Sequence, residues 1–215
     1  MQELQITIQG TTPLLLHRFT DEAQMIATAG SRPSIANDAK SPQEQAEESL
    51  YLDENGVSGI PGPNVMRCLI DAGKYLKVGR TKATTQKSSL IPAAISIEEL
   101  FLPISSTSDW KVDTRPVRIP TTGGRISRHR PCYDDWGLSF HLQLDESVLT
   151  AKMLREILDL AGSRIGLGDF RPDCKGPFGK FKVTEWRNGN RNQTCLLYTS
   201  PSPRDRTRSR MPSSA

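Results

Sequence analysis

The 215-residue chain predicts an α+β fold with its main elements in the order β-α-β-β-α-β. Three observations predict it. Strict apolar alternation at positions 4–8 and 138–144 marks two half-buried strands. Apolar residues recur at helical spacing over 65–76 and 150–162. The second of these helices leads through a glycine-rich stretch into a last short apolar alternation at 181–186.

In chain order, Leu4, Ile6 and Ile8 alternate with polar residues and form a strand that ends at Gly10. Residues 11–19 carry the run Leu14-Leu15-Leu16, followed by His17. Residues 20–48 are polar and poor in aromatics, which reads as an insertion with partial helix. Asn55-Gly56 is the favoured pair for a primed turn and predicts a tight hairpin over 51–60. Asn64 is placed to cap a helix over 65–76, whose apolar face is Val65, Leu69, Ala72 and Leu76. Residues 77–89 read as a basic, Thr-rich loop, 91–102 as one or two short strands, and 116–119 as another.

The clearest strand is 136–144: Leu138, Phe140, Leu142 and Leu144 face one way, Ser139, His141 and Gln143 the other. A turn at 145–147 precedes the second helix, for which Gly162 is the expected C-cap. Without its insertions this is the split βαβ, ferredoxin-like and RRM-like arrangement, in one domain spanning 1–188 with 20–48 as the polar insertion.

Residues 189–215 read as disordered. Cys195-Leu-Leu-Tyr-Thr-Ser-Pro-Ser-Pro-Arg-Asp205 resembles the in-frame translation of a transposase sequencing adapter, so 195–215 is set aside as an artefact that replaces the native C-terminus. Removing its four arginines and one aspartate leaves 24 basic against 23 acidic residues. The alkaline character therefore belongs mostly to the tail, and an anionic partner has to be argued from where charge lies. No apolar run has the roughly 18 residues that a bilayer demands, and the N-terminus has no signal-peptide pattern. Cys68, Cys132 and Cys174 are widely spaced and odd in number, which predicts neither a disulfide framework nor a zinc site but a reducing cytoplasm.

Phosphate-loop and dinucleotide signatures are absent, and Gly166 and Gly168 precede a strand where those motifs open a helix. No cofactor is expected. His17, His129 and His141 are isolated in sequence, and only His17 is a candidate acid or base. The positive signal is basic residues in three clusters. One holds Lys77, Arg80 and Lys82 with Lys74 and Lys87; the second holds Arg125, Arg128 and Arg130 with Arg115 and Arg118. The third is the glycine-rich stretch itself, where Gly166, Gly168, Gly176 and Gly179 interleave with Arg171, Lys175, Lys180, Phe170 and Phe178. Glycine allows close backbone approach, cations neutralise phosphates, and aromatic faces stack on bases.

Gly59-Ile-Pro-Gly-Pro-Asn-Val-Met-Arg-Cys-Leu69 and Gly166-Leu-Gly-Asp-Phe-Arg-Pro, with Gly176-Pro-Phe-Gly-Lys-Phe181, resemble the helix entry and glycine-rich signature of the RAMP superfamily, the RNA-binding subunits of CRISPR effector complexes. Pro13 to His17, Tyr51-Leu-Asp-Glu-Asn-Gly56 and Arg128-His-Arg-Pro131 are also similar to an uncharacterised group of phage and prophage proteins. The first resemblance implies a non-enzymatic subunit that binds single-stranded RNA or DNA, RNA first, within an oligomeric or ribonucleoprotein assembly. Its expected partners are nucleic acid and other subunits, with no membrane. Two other classes stand beside it: a metal-independent RNA-processing endonuclease using His17, and a phage assembly protein whose glycine loop packs on a neighbour.

Overall fold

The computed structural model describes residues 1–19, 40–118 and 123–188. It is a mixed α+β structure with antiparallel sheets. Four strands make the main sheet: β1 (Gln2–Gly10), β6 (Ile95–Ile97), β10 (Gly137–Leu144) and β11 (Phe181–Asn188), in the order β11-β1-β10-β6. The alternation seen in the sequence sets their register. Leu4 lies opposite Leu142, Ile6 opposite Phe140 and Ile8 opposite Leu138, so all six side chains share one face and all are buried. Burying each such side chain contributes about 1.5–3 kcal/mol.

Helices α2 (Gly62–Ala72) and α4 (Ala151–Leu160) bring Val65, Leu69, Leu154, Ile157 and Leu158 to that same core. Trp136, fully buried, donates its indole N–H to the Thr12 carbonyl at 2.8 Å and meets the Phe181 ring edge-on. Two short antiparallel pairs flank α2: β3 (Gly59–Pro61) with β7 (Phe101–Pro103), and β4 (Lys77–Val78) with β5 (Thr81–Lys82).

Helix α2 begins three residues before the expected start, because Pro63 fits a first turn that needs no N–H. Asn64 is therefore inside the helix and does not cap it. The helix also stops at Ala72; Gly73 keeps a helical φ of −57°, and its missing Cβ leaves room for the Thr84 hydroxyl. At the 51–60 hairpin the loop is wider than a two-residue turn: Leu52 bridges Ser58, and the Asp53 carboxylate accepts from the Asn55 and Val57 N–H groups. Within the polar 20–48 segment, α1 (Pro42–Glu48) starts with a reciprocal Ser41–Glu44 cap. The rest of that segment, residues 20–39, and residues 189–215 lie outside the described residues, as does the adapter-like stretch.

The strand expected over 116–119 belongs to a much longer element. Basic residues around 111–133 form a long hairpin, β8 (Lys111–Arg118) and β9 (Arg125–Tyr133), with β2 (Leu14–Leu15) beside β9. Short α3 (Ile91–Ala94) leads into β6.

After α4 the chain widens into a π turn, Ala161–Ile165, and ends at Gly166 with φ +78°. Gly162 is not the C-cap; it sits inside this turn, where a Cβ would stand 2.1 Å from the Phe181 carbonyl oxygen. Gly179 is held the same way, at φ +70° with a Cβ position only 1.8 Å from the Leu167 carbonyl. Gly179→Ala is accordingly expected to cost about 3 kcal/mol, from left-handed strain plus the clash. A urea midpoint unchanged from wild type would contradict that packing account.

Candidate nucleic-acid interface

The glycine-rich loop is docked on the segment between β1 and β2 by main-chain hydrogen bonds. Asp169 N–H donates to the Leu15 carbonyl and Gly179 N–H to the Pro13 carbonyl, both at 2.8 Å. Thr11 N–H donates to the Lys180 carbonyl at 2.7 Å, and Lys180 N–H to the Thr12 hydroxyl at 2.9 Å. Within the loop, Leu167 N–H closes on the Gly179 carbonyl at 2.9 Å. The glycines are what let these strands of backbone meet. A Cβ at Gly168 would stand 2.3 Å from the Leu15 carbonyl oxygen, and one at Gly176 would stand 1.7 Å from that of Phe170.

The β8–β9 hairpin lies against this loop. Register places Asp113 opposite Arg130 and Arg115 opposite Arg128, so these four share a face. That face meets the loop at two points. Arg130, nearly buried, brings Nε within 2.9 Å of Asp169 Oδ2, although its N–H is not aimed at that oxygen, so charge rather than an aligned hydrogen bond holds the pair. Asp169 Oδ1 meanwhile accepts the Phe170 N–H at 2.8 Å. Arg115 places its guanidinium 4.8 Å from the centre of the Phe178 ring.

The two loop aromatics therefore differ in what they offer. Phe178 is buried with Leu15 and Cys132 and covered by Arg115. Phe170 is 36% exposed and held at φ +48°, a left-handed conformation that a bulky side chain seldom adopts. Lys175 in the same loop and Arg128 on the hairpin are exposed and make no ion pair among the described residues, while Lys180 is half-buried. Arg171 donates to the Gly168 carbonyl at 3.1 Å and lies 3.5 Å from Asp173.

The other expected residues lie elsewhere. Arg125 pairs with Arg118 on the opposite face of the hairpin. Lys77, Arg80 and Lys82 stand exposed on the separate β4–β5 hairpin, where Lys77 and Lys82 face each other directly. The open face of the main sheet carries Gln5, Thr7, Ser139, His141 and Glu185, and among the described residues no Phe, Tyr or Trp. Its surface is thus unsuited to stacking bases. There His141 pairs with Glu99, Nδ1 to Oε1 at 2.6 Å.

A cleft of about 260 Å³ opens between α2 and the loop. Asn64, Arg67, Cys68 and Asp71 line it from the helix, Gly166 to Asp169 and Arg171 from the loop, and His17 and Tyr51 at its rim. Cys68 Sγ–H, donating to the Gly166 carbonyl at 3.3 Å, ties the two walls together. The sequence assigns none of these helix residues a binding role: Asn64 reads as a cap, and Arg67 and Cys68 stand within the helix-entry motif.

His17 is open at the cleft mouth, yet the protein around its ring holds the imidazole below its ordinary value; Asp169 opposes that shift while Arg130 and Arg128 add to it. The ring is neutral at neutral pH. Burial pushes the Cys68 thiol far up and the Cys132 thiol to about 11, so neither is a thiolate nucleophile. No group of three or more His, Cys, Asp or Glu side chains suited to a metal occurs among the described residues. No helix among them is long and apolar enough to cross a membrane.

No protein-family model matches the chain, and no curated protein does. Among solved structures, a chain of the type III-B Cmr-β complex bound to cognate target RNA, from cryo-electron microscopy, superposes with a TM-score of 0.55 at 12% identity. The match covers 86% of this chain and 60% of that one, so the present chain spans less than two thirds of its length. The likeness is one of fold. A chain of a type IV-B CRISPR complex is similar over 94% of this chain and 95% of that one, at 12% identity and a TM-score of 0.46.

Because the folded His17 ring resists protonation, the folded state binds fewer protons than the unfolded state just below the ordinary histidine value of about 6.5. Stability contributed above that pH is lost as pH falls through the window. His17→Asn is expected to flatten the wild-type decline in urea stability there. An unchanged pH slope in the variant would show that His17 is not shifted.

Proposed function

We propose that the chain is a non-enzymatic subunit that binds single-stranded nucleic acid, RNA in preference to DNA, within a multi-subunit ribonucleoprotein of the RAMP type. Its core is read as ferredoxin-like over residues 1–188, supported by the order β11-β1-β10-β6 with α2 and α4 on one face. The observation that carries the functional reading is the docking of two basic clusters, distant in sequence, through Arg130 and Asp169. It sets Arg128, Lys175 and the strained, half-open Phe170 on one side of the molecule. Cations on that side would neutralise phosphates, and the Phe170 ring would stack on a base. Arg125 and the Lys77, Arg80 and Lys82 hairpin extend the basic surface beyond this centre.

The fold shared with a subunit of an RNA-bound CRISPR complex agrees with this reading, and function is argued from the site because fold alone does not carry it.

Fluorescence anisotropy with a labelled single-stranded RNA tests the proposal. Affinity should fall with salt at a log–log slope of about −0.7 per phosphate neutralised. Arg128→Glu and Lys175→Glu should each weaken binding and make that slope shallower by roughly 0.7, one phosphate apiece. Phe170→Ala should cost about 1–3 kcal/mol with little change in slope. Absence of binding in low salt, or binding indifferent to salt and to both charge reversals, would overturn the reading.

A further inference from the structure

The cleft between α2 and the glycine loop has a chemistry different from that of the basic surface beside it. Its inner wall is apolar and buried: Leu16, Ile60, Ile165 and Leu167 are all at most 2% exposed. Its rim is polar but electrically balanced. Arg67 lies 3.0 Å from Asp71, Arg171 lies 3.5 Å from Asp173, and the Asp169 carboxylate reaches the same space. A phosphate offers only acceptors and negative charge, so the Asp71 and Asp169 carboxylates that line the space disfavour it.

A neutral ring with donors and acceptors along one edge fits better. Asn64 supplies both a donor and an acceptor, and its side chain has no hydrogen-bond partner among the described residues. Neutral His17 supplies one of each. At about 260 Å³ the space falls just below the roughly 300–1,000 Å³ of sites for drug-sized ligands, which suits one heterocycle.

We propose that this cleft receives a single nucleobase between its apolar walls, with the base edge read by Asn64 and His17. The inference rests on the nucleic-acid reading above and adds base selectivity to it. The base comes from the bound strand or from a free nucleotide. A strand source is within reach because the loop that carries Phe170 and Lys175 also forms one wall of the cleft.

Two titrations separate the possibilities. In the first, AMP, GMP, CMP and UMP at millimolar concentration are compared with ribose 5-phosphate by saturation-transfer NMR. At least one nucleotide should show saturation of base protons above ribose protons that Asn64→Ala abolishes; that outcome identifies a free-nucleotide site. In the second, fluorescein-labelled dodecamers of adenylate, cytidylate and uridylate are bound to the full chain. A strand source predicts that wild type separates the three, and that Asn64→Ala weakens the preferred one about fivefold, as loss of a hydrogen bond would, while the others hold.

Asn64 is exposed and unbonded among the described residues, so thermal melts of the variant should match wild type. Ribose 5-phosphate binding as well as every nucleotide would make the cleft an anion site and overturn the inference. So would dodecamers that bind without base preference, together with nucleotides that show no base contact; the nucleic-acid reading would then survive. If no dodecamer binds in low salt, that reading itself fails.

Discussion

Everything on the basic side of this protein depends on backbone meeting backbone between the glycine-rich loop and the segment joining β1 to β2. The N–H groups of Thr11, Thr12, Asp169 and Gly179 find carbonyl acceptors across that seam, and that of Lys180 finds the Thr12 hydroxyl. Gly179 lets the loop close on its own Leu167, and the seam needs Gly168, where a Cβ would strike the Leu15 carbonyl. It positions Asp169 for Arg130, and so fixes the β8–β9 hairpin. It also forms one wall of the cleft that α2 closes from the other side. The glycines thus act first as structural joints; any contact with a ligand is made by the side chains that those joints hold in place.

This arrangement divides the surface by chemistry. Exposed cations and one strained aromatic ring gather where the loop meets the hairpin, whereas the open face of the main sheet is polar and without large aromatic rings among the described residues. Not every charged or aromatic residue in the basic clusters is equally available. Arg130 is committed to Asp169 and Arg115 to Asp113 and Phe178, whereas Arg128, Lys175 and Phe170 keep capacity for a ligand. Phe170 is fixed by its backbone, whereas the exposed, unpaired Arg128 and Lys175 give up rotamer freedom when a partner binds.

The parts legible in the sequence are those in which one side of an element is apolar. Strand β10 and helix α4 can be read because Leu138 to Leu144 and Leu154 to Leu158 carry clean periods. Of the β8–β9 hairpin only 116–119 reads as strand, because the face turned to the loop carries Asp113, Arg115, Arg128 and Arg130, which set charge against charge and leave little apolar rhythm. The start of α2 is misjudged because Asn64 has the chemistry of a cap, while Pro63 has already met the needs of a first turn. The cleft escapes for a different reason. Its walls come from positions near 16, 64 and 167, and nothing local in a single sequence joins them. The three glycine-loop cations are visible as composition, but which of them stays available depends on contacts such as Arg171 with Asp173.

The place of β1 in the sheet has a consequence for how the chain acquires its structure. This first strand pairs with β10 and β11, whose nearest partners lie more than a hundred residues later. During synthesis, Leu4, Ile6 and Ile8 emerge long before those strands exist to cover them. Such pairings carry a high loop-closure cost and are made late. Until β10 and β11 have been made the nascent protein therefore holds an apolar strand with both edges unpaired, a period in which aggregation competes with folding.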